Sequence, residues 1–327
     1  MKTLSLSLIT SLVISLVLGA LILPVLRALK AGQPILKYVN THKDKNGTPT
    51  MGGLFFIMSA IISFAIFGGF NSRIAVVSAV ISLAFMVVGF LDDFIKIKFK
   101  KNEGLKPYQK ILFQLAIALS ASFFVYNNGI TVFHLPFTKN TVDLGVFTLP
   151  VVAIIFIAIT NSVNLTDGLD GLAGGVSVVY LAIMAVLISL QTATLNSLYL
   201  LANEYYSMQL LAVCFVGALL GFLAFNVNKA KVFMGDTGSL ALGGIIGSIS
   251  VFSSNSFFIP LIGITFVTSS ISVIVQVLYY KRTKKRVFLM APLHHHFQMK
   301  GHSETKISFC YALITLIVGV LSLISYL

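Results

Sequence analysis

Long apolar segments alternate with short polar ones along this chain of 327 residues. A helix needs about 20 apolar residues to cross a bilayer, so the pattern predicts about ten spans. They cover residues 4–29, 51–70, 73–92, 109–126, 148–164, 173–190, 205–226, 239–254, 257–280 and 306–326. An outer-membrane barrel would instead show alternating strands of about ten residues. The pattern therefore predicts an all-α polytopic integral membrane protein.

Three segments need a separate interpretation. The apolar run at 4–29 is too long for a signal-peptide core and is followed by basic residues, so we interpret it as a retained helix. Residues 127–149 alternate weakly between polar and apolar positions, which predicts a short β-hairpin on the outer face. Pro260, early in the ninth span, marks a kink or a helix start. No repeat or boundary interrupts the pattern, so residues 1–327 are expected to form a single transmembrane domain.

Composition and charge orient the spans. Hydrophobic residues make up 57% of the chain and charged residues 10%, so the bilayer is the solvent for most of it. Of 23 Lys and Arg residues, 20 lie in loops that the alternation of spans places on one side: 27–45, 92–110, 229–236 and 281–306. By the positive-inside rule this side is cytoplasmic, and both termini lie outside. Divided among loops and without a recognition motif, the net charge of +13 does not indicate nucleic-acid binding.

Five aspartates lie where apolar segments end, all on the predicted cytoplasmic side: Asp92, Asp93, Asp167, Asp170 and Asp236. A carboxylate at a membrane boundary is costly to desolvate and usually has a functional reason to be there. Mg²⁺ prefers carboxylate oxygens together with water and phosphate. The pattern therefore indicates a site for a cation and a phosphate-bearing ligand, which is typical of an enzyme.

Each aspartate also has a structural interpretation. Asp92 and Asp93 suit a solvated helix end, although adjacent acids there oppose the helix dipole. Asp236, in the sequence GDTGS, suits a helix cap as well as a cation ligand. The DGLDG sequence suits a turn, but Asn161 and Asn164 closely precede it. A cluster of two carboxylates and two amides at a membrane boundary favours a ligand site.

Three consecutive histidines, His294, His295 and His296, lie in the last cytoplasmic loop behind the basic run 281–286. Adjacent histidines cannot all face one metal from a regular element, so zinc is the less favoured interpretation. Imidazoles near a phosphate serve as donors or acid–base groups, and we interpret this loop as phosphate-facing. Gln276, near the inner end of its span, has an inter-helix hydrogen bond as its alternative role.

Five motifs resemble those of the phospho-N-acetylmuramoyl-pentapeptide transferases, a family of the polyprenyl-phosphate N-acetylhexosamine-1-phosphate transferase superfamily. They are TPTMGG (48–53), GFLDDFIK (89–96), NSVNLTDGLDGLAGG (161–175), KVFMGDTGS (231–239) and APLHHHFQMKG (291–301). The aspartate motifs are shared across the superfamily, whereas TPTMGG and PLHHHF point to this family.

The resemblance implies a reaction and its setting. Phospho-N-acetylmuramoyl-pentapeptide would pass from its UDP-linked donor to undecaprenyl phosphate with Mg²⁺, giving lipid I and UMP. It also implies a homodimer of ten-helix chains in the bacterial inner membrane, in contact with membrane lipid. The active site would face the cytoplasm, where the charge pattern independently places the aspartates.

The resemblance also implies residue roles. Asp236 would ligate Mg²⁺, Asp92 would deprotonate or position the lipid phosphate with Asp93 beside it, and Lys110 would hold phosphate. The three histidines would contact phosphate or sugar. The nucleotide and sugar cleft would be lined by Asn161, Asn164, Asp167, Asp170, Asn226, Phe233 and Gln276. Phe233 would stack on uracil, for which an aromatic face is suited. Lys43 and Thr48 carry over as substrate-binding residues.

Other classes fit less well. A secondary transporter would place its charges near mid-membrane with two related halves. An intramembrane aspartyl protease needs a GxGD setting, and the segment before Asp236 lacks the first glycine. A CDP-alcohol phosphotransferase needs further spaced aspartates after DG. For the transfer itself, direct attack is favoured over an aspartyl-phosphate intermediate, which the sequence leaves open.

Overall fold

The computed structural model describes residues 2–29, 47–99, 104–194 and 199–324, without the side chains of 194 and 199–201. Its helices are α1 (Lys2–Ala28), α2 (Gly53–Ile66), α3 (Arg73–Phe99), α4 (Pro107–Asn127), α5 (Thr148–Thr166), α6 (Leu172–Thr194), α7 (Tyr199–Asn226), α8 (Gly235–Phe252), α9 (Ile259–Ile262), α10 (Ile264–Thr283), α11 (Leu293–Met299) and α12 (Glu304–Leu323). Two strands, β1 (Val132–His134) and β2 (Thr141–Asp143), form an antiparallel pair. The prediction of a mostly helical polytopic membrane protein is confirmed.

Eight of the helices in the described ranges are long and apolar enough to cross a membrane: α1, α3, α4, α5, α6, α7, α10 and α12. The predicted second and eighth spans correspond to α2, a shorter apolar helix, and α8. The predicted ninth span is interrupted. A 3₁₀ turn (Ser256–Phe258) and α9 precede α10, and the helix breaks at Gly263. Pro260 lies in the first turn of α9, where its missing N–H costs nothing, so the predicted helix start is confirmed.

Helix α8 lies at the centre of the molecule. It packs against α3, α5 and α2, and every residue from Thr237 to Phe252 is buried. Glycines let the neighbouring backbones approach, since a Cβ at Gly89 of α3 would collide with the carbonyl of Asp236. Gly53 of α2 similarly meets Gly238. The start of α8 is therefore held directly against the inner ends of two other helices.

The hairpin lies at the opposite end of the bundle and confirms the predicted β-hairpin. Phe133 pairs with Val142 and is buried, and the backbone N–H of His134 donates to the carbonyl of Ser254 at 2.9 Å. Helix α8 runs from the aspartate end at Asp236 to this end. The chain therefore separates a polar inner end, which carries the aspartates, from a hairpin-capped outer end.

Candidate active site

Three carboxylates converge where the inner end of α3 meets the start of α8. Asp92, Asp93 and Asp236 each offer an oxygen within 4.8 Å of the others, the only such group of three His, Cys, Asp or Glu residues within the described ranges. Asp92 and Asp93 are buried, and they follow Gly89, the point of closest approach to α8, by one turn. The sequence-predicted carboxylate cluster is thus assembled by the packing of two helices.

Two lysines neutralise much of this charge. Nζ of Lys96 lies 2.6 Å from Oδ2 of Asp92 and 3.1 Å from Oδ2 of Asp236. Nζ of Lys110, in the first turn of α4, lies 2.8 Å from the same oxygen of Asp236. Lys110 was predicted as a site residue, but Lys96 was not. Its position four residues after Asp92 on one helix is the signal that would have identified it.

Asp92 and Asp93 point in different directions, as consecutive residues of a helix must. Oδ2 of Asp93 accepts from the backbone N–H of Thr237 at 2.9 Å and from its hydroxyl at 2.7 Å, which joins α3 to α8. Oδ1 of Asp92 accepts from the backbone N–H of Leu105 at 2.9 Å, and its other oxygen meets Lys96. Asp93 is therefore tied into the helix packing, whereas Asp92 borders the segment that leads into α4.

Asn164, near the end of α5, completes the surroundings of Asp236. Its Nδ2 donates to Oδ1 of Asp236 at 2.7 Å and to the hydroxyl of Ser239 at 2.8 Å. Helix α8 begins without a side-chain cap, so the interpretation of Asp236 as a cap is wrong: lysines and an amide use its carboxylate instead. Asn161 does not join the cluster, because its Nδ2 donates to Oε1 of the buried Gln114 at 2.7 Å.

Asp167 and Asp170 lie in a turn between α5 and α6 rather than on one helical face. Asp167 is half-buried. Its burial, followed by the charges of Asp236, Asp93 and Asp170, raises the pKa of Asp167 well above its ordinary value. Asp170 is buried, and its Oδ2 accepts from the backbone N–H of Ala230 at 3.0 Å. The charges of Asp236 and Asp93 therefore act on the carboxyl of Asp167.

Asn226 and Gln276 use their side chains to hold loops. Oδ1 of Asn226 accepts from the backbone N–H of Gly171 at 3.0 Å, and its Nδ2 donates to the carbonyl of Val232 at 2.9 Å. Oε1 of Gln276 accepts from the backbone N–H of Phe288 at 2.9 Å, in the segment that leads to the histidines. The alternative role predicted for Gln276, a bond between helices, is therefore wrong, because its partner lies in a loop.

The TPTMGG segment lies against the segment that enters α8. The backbone N–H of Phe233 donates to the carbonyl of Pro49 at 2.8 Å, and that of Gly52 donates to the carbonyl of Phe233 at 2.9 Å. Phe233 and Thr48 are both half-buried. Lys43 lies outside the described residues. The loop at 48–53 is therefore joined by backbone hydrogen bonds to Phe233, three residues before Asp236 of the carboxylate cluster.

All three histidines lie in α11, and their rings point in different directions. The Nε2 atoms of His294 and His295 crowd Gly168, whereas Nδ1 of His296 accepts from the backbone N–H of Leu289 at 3.1 Å. Burial, and then the neighbouring His295, lowers the pKa of His294 to about 3, so this ring is neutral. The histidine loop is therefore packed on the turn that carries Asp167, and the histidines do not form a common metal site.

Comparisons with known proteins match the parts of the chain that carry these residues. The family model of glycosyl transferase family 4 matches residues 74–254, and a phospho-N-acetylmuramoyl-pentapeptide-transferase signature matches 45–57. The chain is 41% identical over 312 residues (95% of this chain, 93% of the relative) to the phospho-N-acetylmuramoyl-pentapeptide-transferase of Clostridium botulinum (strain Alaska E43 / Type E3). It is also 41% identical over 318 residues (97% and 96%) to that of Thermoanaerobacter sp. (strain X514), and 41% over 315 residues (95% and 94%) to that of Clostridioides difficile (strain 630).

Helical membrane architecture, a carboxylate cluster at one end and these matches together define a membrane-embedded phospho-sugar transferase. It is a multi-pass protein of the bacterial inner membrane. The chain belongs to the phospho-N-acetylmuramoyl-pentapeptide-transferase family, within glycosyl transferase family 4. The resemblance read from the motifs is thereby confirmed, and the transporter, protease and CDP-alcohol alternatives are set aside.

Proposed function

We propose that this protein transfers phospho-N-acetylmuramoyl-pentapeptide from its UDP-linked donor to undecaprenyl phosphate, giving lipid I and UMP at the cytoplasmic face. The observation that carries the proposal is the cluster of three carboxylates and two lysines at the meeting point of α3, α4 and α8. A phosphate that attacks a pyrophosphate brings several negative charges together, and these must be offset before the bond can form. Residues 1–327 act as one catalytic domain, because the cluster draws on several helices.

Magnesium fits the donor set of this cluster. Hard cations prefer oxygen ligands, and Asp236, Asp92 and Asp93 each present a carboxylate oxygen within 4.8 Å of the others. Asp236 is the residue that we expect to ligate the ion. When bound, Mg²⁺ would polarise phosphoryl oxygens and offset the charge of the diphosphate. Lys96 and Lys110, already at Asp236, would supply further positive charge to the same phosphates.

Asp92 is the residue that we assign to binding and deprotonating the lipid acceptor. Its carboxylate is held by Lys96 and by the backbone N–H of Leu105, so it is oriented before substrate arrives. Asp92 positions the lipid phosphate and takes its proton. A phosphate oxygen of the lipid then attacks the sugar-linked phosphorus of the donor, and UMP leaves. Direct attack fits because Lys96 and the backbone N–H of Leu105 hold the two oxygens of Asp92 in place, which opposes their moving in line with the donor phosphorus.

The donor substrate lies, in this proposal, between the Asp167 turn, the histidine loop and Phe233. We expect the histidine loop to contact phosphate or sugar; in this loop both ring nitrogens of the buried His294 lack a hydrogen-bond partner among the described residues. Phe233, half-buried beside the start of α8, stacks on uracil. Asn226 and Gln276 shape this cleft through the loops that they hold, and their amides are expected to contact nucleotide or sugar.

The test is Mg²⁺-dependent release of UMP from UDP-N-acetylmuramoyl-pentapeptide and undecaprenyl phosphate by the purified protein. Release should need both lipid and metal, stop on addition of EDTA, and disappear in Asp236→Ala. Asp143→Asn, an exposed aspartate on the outer hairpin, is the matched control and should retain activity. Release with UDP-N-acetylglucosamine but not with the muramoyl donor would overturn the substrate assignment. Phosphorylated enzyme trapped with the nucleotide donor alone would overturn direct attack.

A homodimer is the assembly that we propose, supported by membership in the family whose motifs the chain carries. The molecular mass of the protein in detergent, measured by light scattering with the micelle subtracted, should be twice the chain mass of 35.4 kDa. A mass equal to that of one chain, in micelles and in nanodiscs alike, would contradict it.

A further inference from the structure

Two helices reach the carboxylate of Asp236 from different sides. Nζ of Lys110, in the first turn of α4, lies 2.8 Å from Oδ2 of Asp236. Nδ2 of Asn164, near the end of α5, donates to Oδ1 of the same residue at 2.7 Å. The geometry around Asp236 therefore depends on how α4 and α5 are placed against each other.

A pair of amides joins the same two helices one turn deeper in the bundle. Gln114 follows Lys110 by four residues and Asn161 precedes Asn164 by three, so each amide lies on the helix face of a residue that contacts Asp236. Nδ2 of Asn161 donates to Oε1 of Gln114 at 2.7 Å, and Nε2 of Gln114 donates to Oδ1 of Asn161 at 3.5 Å. The amide pair, the two helices and Asp236 thus form a closed ring.

The amide pair favours one position of α4 along α5. Helix α4 packs mainly against α5, and its outer side exposes apolar residues such as Ile111, Leu112 and Leu119. Lipid tails are as apolar as leucine, so these side chains give little preference for one helix position over another. Gln114 is buried, and its amide would be costly to leave without a partner. The position in which both amides are satisfied therefore also decides where Lys110 lies.

We infer that Gln114 is a positioning residue, which fixes α4 against α5 through Asn161 and thereby sets Lys110 relative to Asp236. Its effect on the transfer reaction rests on the proposed function, whereas the placement of Lys110 can be measured without substrate. Gln114 was not identified as a site residue from the sequence.

The placement of Lys110 is tested by the rate at which its amine is labelled. The protein in nanodiscs, without substrate, is treated with an amine-reactive ester, and mass spectrometry compares Lys110 with Lys106, an exposed lysine just before α4. Gln114→Leu should raise the ratio of Lys110 to Lys106 labelling about two- to fivefold, the factor that an ion pair contributes when it is partly exposed. Gln191→Leu is the matched control, because Gln191 forms a second buried amide pair, with Asn255 at the outer end, at 3.0 and 2.9 Å. An unchanged ratio in Gln114→Leu, or an equal rise in Gln191→Leu, would overturn the inference.

An exchange of the two amides provides the rescue. Gln114→Asn shortens the bridge between the helices by one methylene group, and Asn161→Gln lengthens it by one. The double variant Gln114→Asn/Asn161→Gln has the same two amides and the same total length. Each single variant should raise the labelling of Lys110, and the double variant should return it close to the unsubstituted value. If the effects of the two substitutions add instead, the amide pair does not set the position of α4.

Transferase kinetics connect this position to the rate. A displacement of about 1 Å costs up to about 100-fold in rate, so kcat in Gln114→Leu should fall at least about tenfold, whereas the KM for the donor should change less. The exchange variant should recover kcat, and Gln191→Leu should retain it. If the exchange variant has normal labelling of Lys110 but a low kcat, the loss belongs to a direct substrate contact of Asn161, and positioning is refuted. Absence of activity in the unsubstituted protein would refute the proposed function, and the labelling would still decide the placement of Lys110.

Discussion

Substitution of Gly89 by alanine tests whether the active site depends on the close approach of α3 and α8. A Cβ at this position would lie 2.6 Å from the backbone nitrogen of Thr237 and closer still to the carbonyl oxygen of Asp236, where ordinary contact begins at 3.4 Å. The two helices must therefore separate by about 1 Å. Overpacking of this kind costs about 1–3 kcal/mol of stability, and a displacement of about 1 Å costs about 100-fold in rate.

The matched control is Gly175→Ala in α6. Gly175 is also helical, but a Cβ there would meet nothing within 4 Å. Because alanine is the better helix former, this variant should be as stable as the unsubstituted protein or more stable by about 0.5–1 kcal/mol.

The assay exploits the cysteines, since the chain contains no tryptophan. In a Cys310→Ser background, a thiol-reactive dye reports thermal unfolding through exposure of the buried Cys214. Gly89→Ala should unfold at a lower temperature and lose UMP release, whereas Gly175→Ala should do neither. If the two glycine variants have the same midpoint and activity, the close approach does not position Asp236, and the reasoning fails.

Three further predictions concern charge and hydrogen bonding. Lys96→Met should lower UMP release about 100-fold, because it removes the ammonium that bridges two carboxylates. The control is Lys98→Met, since Lys98 is exposed on the same helix, and its UMP release should be close to normal. Equal losses in the two variants would refute the role of Lys96. Thr237→Val should lower the free energy of unfolding by about 1–3 kcal/mol, measured with the thiol assay, because the buried Asp93 loses one of its donors; an unchanged midpoint would contradict this. The raised pKa of Asp167 means that the folded protein binds its proton more tightly than the unfolded chain, so this group costs stability as pH rises above about 3.9. The unfolding midpoint of Asp167→Asn, relative to that of the unsubstituted protein, should therefore rise between about pH 4 and neutrality. A difference between the two midpoints that does not change with pH would refute the assigned burial.

The membrane class, the hairpin and the side on which the aspartates lie could be predicted from local pattern alone. Span length and loop charge are properties of contiguous residues, and the bilayer imposes the same rule on each of them. The cluster of Asp92 and Asp236 was predictable for the same reason, since every inner helix end is brought to one membrane face. The family resemblance then assigned roles within that face.

The partners of individual side chains required the tertiary structure. The sequence does not show how the surroundings of Asp92 and Asp93 differ; in the structure Thr237 of α8 donates to Asp93, whereas the backbone N–H of Leu105 donates to Asp92. Asn161 pairs with Gln114, and Gln276 binds the backbone of the segment before the histidines; neither partner could be predicted from the sequence. Such hydrogen bonds join residues that are far apart in the chain. The spacing of apolar residues along the chain does not show which polar side chains will meet.

The interruption before α10 also shows this division. Pro260 signalled a helix start, and the structure adds a second break at Gly263, between α9 and α10. The hydrophobic pattern sets which residues avoid water, and this determines the membrane class and the positions of the long spans. The close packing of the helices determines which polar atoms come into contact at the helix ends, and the chemistry of the site depends on these contacts.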